Sequence, residues 1–261
     1  MDIIVCVKQV PDTNEVKIDP IKGTLIRDGV PSILNPDDAN ALEEALKLKD
    51  QNPSITITVI TMGPPQAKYM LRECLAMGAD NAVLLSDRAF AGADTWATSN
   101  TIASAIRKIG RYDLIFAGRQ AIDGDTAQVG PQIAERLLIP QITYVQNFNY
   151  KDGKIEVQRQ LENGYEIIET KMPVLLTAVK ELNSPRYMKL SGIIDAYNAE
   201  IPVWSLKDLD LEPHEVGLNA SPTQVFKSFT PEPKGKGKML EGTPREIVQK
   251  LMVELKQKHV I

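Results

Sequence analysis

The chain of 261 residues has no G-x-G-x-x-G after its first apolar run and no G-x-x-x-x-G-K-S/T anywhere. Both an ordinary dinucleotide-binding Rossmann turn and a phosphate loop are therefore disfavoured. Histidine occurs only as His214 and His259, in the tail, which discounts a Ser-His-Asp triad or a histidine-built metal site. The two cysteines, Cys6 and Cys74, form no C-x-x-C pair. That fits a reducing compartment and argues against a disulfide framework or a zinc site. Aromatic residues make up 5% of the chain, too few for a large aromatic-lined pocket. No apolar run approaches the ~20 residues of a membrane span, and no basic leader precedes the first strand. A soluble cytoplasmic protein is the expectation. The net charge of -4 gives no reason to expect nucleic acid.

An apolar content of 43% is enough for a substantial core. Ile3–Val7, Ile55–Ile60, Ala82–Leu85 and Leu114–Ala117 read as buried strands. Helices alternate with them. Asn35 caps the first, Pro36 opens it, and Asp37 and Asp38 lie in its positive first turn. Its buried stripe is Ala41, Leu42, Ala45, Leu46 and Leu48. A second helix runs from about Pro65 to Met77, and a third from the cap Asp94 to Ile109. This alternation implies an open, doubly wound, mostly parallel α/β sheet of Rossmann-like type. From Ile142 to Val179 the strands follow one another without helices, with a hairpin turn at Asn163-Gly164. An antiparallel extension of the same sheet is expected there, and a short helix near Leu190–Tyr197 comes after it.

Two segments stand apart. The long connection between Lys8 and Asn35 is expected to hold a small ribbon, Val16–Ile18 against Thr24–Ile26. From about Leu206 the core pattern fades into Pro213, Pro222, Pro231, Pro233 and the run Lys234–Lys238. A final helix is well specified by Thr243, Pro244 and Glu246. It either folds back or docks on a partner. The expected organisation is a nucleotide-binding domain over residues 1–205 and an extended arm with its helix over 206–261.

In such a sheet ligands bind where winding reverses. With strand order 3-2-1-4-5, that point lies between the first and fourth strands. There Lys8–Thr13, the helix start at Asn35, the turn at Met62-Gly63 and the loop Arg119–Gly130 would converge. A helix start facing a buried strand end favours an anion, although a solvated connection is the plain alternative. Either Asp125 and Gln128 form a capping box with Pro131 inside the helix, or Gly130 caps and Pro131 is first. Asp123 and Asp125 could bind a metal or act as acid and base, but residues of this kind more often cap a helix or fix a ribose. Cys6 reads as a small core residue, with a reactive thiol as the minority reading. Thr95 and Thr98 are either ligand donors or capping residues.

Five segments together resemble the β-subunit of electron transfer flavoproteins. They are VCVKQVPDT, NPDDANALEEALKLKD, TMGPPQAKYMLRECLAMGAD, GRQAIDGDTAQVGPQIAERL and TKMPVLLTAVKELNSPRYMKL, in the family's order and reaching to about residue 200. The resemblance implies a sheet like that of adenine-nucleotide hydrolases, and a heterodimer whose α-subunit receives the C-terminal arm. It implies an adenine nucleotide at Cys6, Asn35, Pro36, Asp37, Asp38 and Met62. The same ligand would meet the loop Arg119, Gln120, Ala121, Ile122, Asp123, Gly124, Asp125, Thr126, Ala127, Gln128, Val129 and Gly130, with Thr95 and Thr98 as further candidates. Mitochondrial-type members hold AMP there, and electron-bifurcating bacterial members hold a second FAD.

GTLIRDGVPSILNPDD and DGDTAQVGP look like the bifurcating type. The resemblance thus implies an electron-transfer subunit that takes electrons from NADH. It would pass them to ferredoxin and, through the α-subunit FAD, to an acyl-CoA dehydrogenase-like or other flavin dehydrogenase. In this picture Thr126–Gly130 and Arg119 hold the pyrophosphate, Asp123 or Asp125 fixes hydroxyls or the helix start, and no side chain is catalytic. The segment Leu190–Tyr197 lacks the basic run that docks dehydrogenases in the mitochondrial type. A single-flavin carrier with structural AMP and a stand-alone adenine-nucleotide hydrolase are the rival readings.

Overall fold

The computed structural model describes residues 1–12, 31–151, 153–226, 235 and 237–261. The ribbon expected at Val16–Ile26 lies outside the described residues. The parallel strands β1 (Asp2–Cys6), β4 (Thr56–Met62), β5 (Asn81–Leu85) and β6 (Leu114–Gly118) are connected through α1 (Pro36–Gln51), α2 (Ala67–Met77) and α3 (Thr95–Ile109). A two-stranded ribbon, β2 (Gln9–Pro11) and β3 (Ser32–Leu34), precedes α1. After α4 (Val129–Leu137) come β7 (Gln141–Lys151), β8 (Lys154–Leu161), β9 (Gly164–Thr170) and β10 (Val174–Ala178). The chain then forms α5 (Leu190–Asn198), β11 (Val203–Trp204) and α6 (Pro244–Gln257).

The main sheet runs β11-β5-β4-β1-β6-β10-β7-β8-β9, so the expected 3-2-1-4 order holds. The antiparallel extension is real but smaller than expected. Only β7-β8 and β8-β9 pair antiparallel, whereas β10 lies parallel between β6 and β7. All five residues of β10 are buried, and so are all five of β6. Strands apolar on both faces belong in the middle of a covered parallel sheet, and that preference overrides chain order. The β8–β9 turn is made by Glu162 and Asn163, and Gly164 closes it at φ 156.

Alternate residues of the strands feed two cores. Ile3, Val5, Val59 and Phe116 face α1 and α2, burying Leu42, Leu46, Leu71 and Cys74. Ile4, Ile60, Ile115 and Leu175 face α3 and α4, burying Ile102, Ile106, Ile133 and Ala134. The five residues of the expected α1 stripe are all buried. This second core reaches further than the sequence suggests, because Leu209 and Val216 join it beside Phe90. α6 has the expected capping box at Thr243 and Glu246, yet none of its residues is buried.

Candidate functional site

The carboxyl ends of β1, β4 and β6 and the starts of α1, α3 and α4 form one rim. Cys6, the last residue of β1, pairs in register with Ile60 of β4 and Ala117 of β6. It is buried, and burial, with Asp38 nearby, pushes its thiol up to about 12. A protonated, enclosed thiol is a packing residue and not a nucleophile. Met62 ends β4, partly buried in the second core.

Three residues at the start of α1 organise the rim. Asn35 occupies the cap position, but its side chain makes no capping bond. Instead its Nδ2 donates to the Gln120 carbonyl at 2.9 Å, and its Oδ1 accepts from the Ile122 N–H at 3.1 Å. The cap has been diverted to fasten the β6–α4 loop. Pro36 opens the helix as expected. Asp38 accepts from the Lys8 N–H at 2.8 Å and the Gly118 N–H at 2.9 Å. A Cβ on Gly118 would stand 2.2 Å from Asp38 Oδ1, so the close approach requires glycine. Asp37 faces the other way, with its Oδ2 3.3 Å from Arg119 Nε. Neither atom makes a hydrogen bond among the described residues. Burial raises the Asp37 carboxyl and Arg119 opposes the rise. The Arg119 guanidinium also lies 5.9 Å from the Tyr144 ring.

The loop itself is pinned at several points and open between them. Asp123 meets Lys8 Nζ at 2.6 Å, and the Gln120 side chain donates to Asp125. Asp125 and Ala127 adopt φ of 54° and 52°, left-handed values uncommon outside glycine. Among the described residues no acceptor takes the N–H of Thr126, Ala127, Gln128, Val129 or Gly130. α4 begins at Val129 with Gln128 at its cap, so Pro131 is the third helical residue. This corrects both expected starts: Asp125 forms no capping box, and Gly130 lies inside the helix. Pro131 costs nothing in the first turn, where its missing N–H would have no partner. Gly130 is buried, and a Cβ on it would stand 2.7 Å from Thr177 Cγ2.

Ala121 accepts from the N–H of Gly124 and of Asp125, which closes the loop's first turn. Ile122 is half exposed at its surface. Thr95 opens α3 and donates through Oγ1 to Gln128 Oε1 at 3.0 Å, so α3 and α4 meet at the rim. Thr98 is one turn in, and its N–H is satisfied by the Asp94 carbonyl. Asp94 caps α3 through the Ala97 N–H, as expected. The structure therefore brings Asn35 to Asp38, Thr95 and Arg119 to Gly130 onto one edge, with Cys6 and Met62 on the strand ends behind them. Gly118 and Tyr144 were absent from the sequence candidates, and Lys8 entered only as the first residue of the converging segment Lys8–Thr13. Gly118 ends a switch-point strand and Lys8 lies two residues past the end of another, which is the signal that could have marked both. Among the described residues no group of His, Cys, Asp or Glu could hold a metal ion, and no helix is long and apolar enough to cross a membrane.

The donor set fits an anionic nucleotide. Among the described residues, five N–H groups without an acceptor, one helix start and a guanidinium lie along this edge, and Asp123 is paired with Lys8. A concavity of about 530 Å³ between α1, α2 and α5, lined by Lys49, Asp50, Gly78 and Lys189, opens at the other edge of the sheet. None of the candidate residues lines it.

The family model described as the electron transfer flavoprotein domain matches residues 22–209. The chain is 63% identical over 262 residues to the caffeyl-CoA reductase-Etf complex subunit CarD of Acetobacterium woodii, covering all of both chains. It is 58% identical over 261 residues to the electron transfer flavoprotein subunit beta of Clostridium acetobutylicum, again covering all of both. The acryloyl-CoA reductase electron transfer subunit gamma of Anaerotignum propionicum is 52% identical over 269 residues, with the same full coverage. The chain belongs to the electron transfer flavoprotein family, as a subunit of the β type.

Proposed function

We propose that this chain binds FAD along the rim and works in flavin-based electron bifurcation with an α-subunit. Electrons enter from NADH. One leaves to ferredoxin and the other, through the α-subunit FAD, to an acyl-CoA dehydrogenase-like partner. The observation that carries the cofactor reading is the row of unpaired N–H groups from Thr126 to Gly130 beside Arg119. When bound, FAD supplies the electron-pair and single-electron chemistry.

The chain's own residues bind and orient. The N–H groups of Thr126–Gly130 donate to the pyrophosphate, and the start of α4 adds its dipole. Arg119, backed by Asp37, supplies the positive charge. Asn35 and Asp38 hold the two loops in place. No side chain of the rim needs to move a proton, since the Cys6 thiol stays protonated and Asp123 is tied to Lys8. α6, with no residue buried and Val248, Leu251 and Val253 exposed, docks on the α-subunit in this reading.

Similarity to subunits named for caffeyl-CoA and acryloyl-CoA reductases supports a partner that acts on acyl-CoA. The deciding experiment is a cofactor count on the purified αβ complex after denaturation. Two flavins per pair and no AMP are expected. One flavin with one AMP would overturn the bifurcation reading and leave a single-flavin carrier.

A further inference from the structure

Asp38 is unlike the other acids of the rim, because both its oxygens are spent on backbone. The chain leaves β1 for α1 on one face of the sheet and β6 for α4 on the other. At that divergence the Lys8 and Gly118 N–H groups find their acceptor in one carboxylate, at 2.8 and 2.9 Å. We propose that Asp38 is a positioning residue, which fixes the gap between the ends of β1 and β6 and must be ionised for the rim to take up its cofactor. This rests on the function proposed above.

The chemistry of the carboxylate makes the requirement. Ionised, it offers two acceptor oxygens; protonated, one oxygen carries a hydrogen that faces an N–H. One of the two stitches is then lost, either at Lys8, where the rim's first loop begins, or at Gly118, just before Arg119. The groups facing Asp38 are Asn35 and Asp37 on α1, Cys6 and Lys8 at the end of β1, and Cys74 on α2. Asp123 is joined to Lys8, and Arg119 to Asp37. The Lys8 ammonium is engaged by Asp123, so the stabilising partners of Asp38 are N–H dipoles and the Asn35 amide. Burial, only partly offset by those bonds, brings its carboxyl up to about 7. The group therefore changes form within the ordinary working range.

The test is FAD uptake by the full chain in its αβ complex after nucleotide removal, titrated between about pH 6 and about pH 9. Wild-type affinity is expected to fall as pH drops below about 7, approaching roughly tenfold per pH unit. Asp38→Asn, which keeps the shape but not the second acceptor, is expected to bind at least about tenfold more weakly at high pH and to show a flat profile. Asp38→Glu should recover part of the slope. A flat wild-type profile would overturn the proposal, and needs no variant to fold. So would an Asp38→Asn chain that matches wild type at every pH. Binding of AMP without FAD would sink the FAD reading alone. The ratio of wild type to Asp38→Asn for AMP would then decide the role of Asp38. Uptake of neither would overturn both.

Discussion

Helices α1 and α6 begin with nearly the same signal: a polar cap residue, a proline, then an acid within the first turn. Their fates are opposite. α1 buries ten of its residues, four of them acids, while α6 buries none. The caps differ in the same sense. Thr243 of α6 accepts from its own helix, and Glu246 returns the bond to the Thr243 N–H at 2.8 Å. The Asn35 side chain makes no capping bond to an N–H of α1 and reaches instead across 85 and 87 residues of sequence to the β6–α4 loop. A cap used locally specifies only that a helix starts. A cap released from that duty marks a place where the fold needs something held, here the loop with the unpaired N–H groups.

The comparison can be broken at either helix. The largest effect is expected for Asn35→Ala, which strands the Gln120 carbonyl and the Ile122 N–H. Urea unfolding should show a loss of about 2 kcal/mol, with FAD retention by the complex falling in parallel. Far-UV circular dichroism should stay unchanged, because the side chain caps nothing; a loss of helix signal would mean that Asn35 is an ordinary cap. Next comes Leu251→Asp on α6. It should weaken association with the α-subunit at least about tenfold, or roughly 1.4 kcal/mol, while the isolated chain unfolds within about 0.5 kcal/mol of wild type. An unchanged association constant, read by analytical ultracentrifugation, would show that this face does not dock. The smallest effect belongs to Thr243→Ala. It should loosen α6 by about 1 kcal/mol, visible as faster amide exchange over residues 244–257, with the unfolding midpoint of the body unmoved.

Much of this fold was written in local pattern. Periodicity and punctuation placed α1, α3 and α6 within a residue or two, since a proline, a capping side chain or a terminal glycine acts on its immediate neighbours. The rim was legible for a different reason: topology alone sends the loops after the first and fourth strands to one edge. What stayed hidden depends on distance. Asp37 and Asp38 read as two equivalent acids favoured by the helix dipole, yet one pairs with Arg119 and the other joins two strands, because adjacent helical positions point about 100° apart. The start of α4 was missed because its proline tolerates several first-turn positions and Gln128 is no capping residue by type. β10 was read as part of an antiparallel edge, since chain order suggests neighbours and only its unbroken apolar run, Val174–Ala178, hinted at the centre.

That central placement of β10 governs the order in which the protein can be made. Until residues 174–178 arrive, β6 presents a bare ladder edge with five apolar residues, the kind of surface on which nascent chains stick to one another. The backbone carbonyl of Ala178 also receives the Arg119 N–H at 2.8 Å, so the first residue of the cofactor loop waits for the same event. A ribosome must therefore deliver nearly seven-tenths of the polypeptide before the grip can assemble, and any truncation upstream of that strand should yield aggregates and not a smaller working carrier.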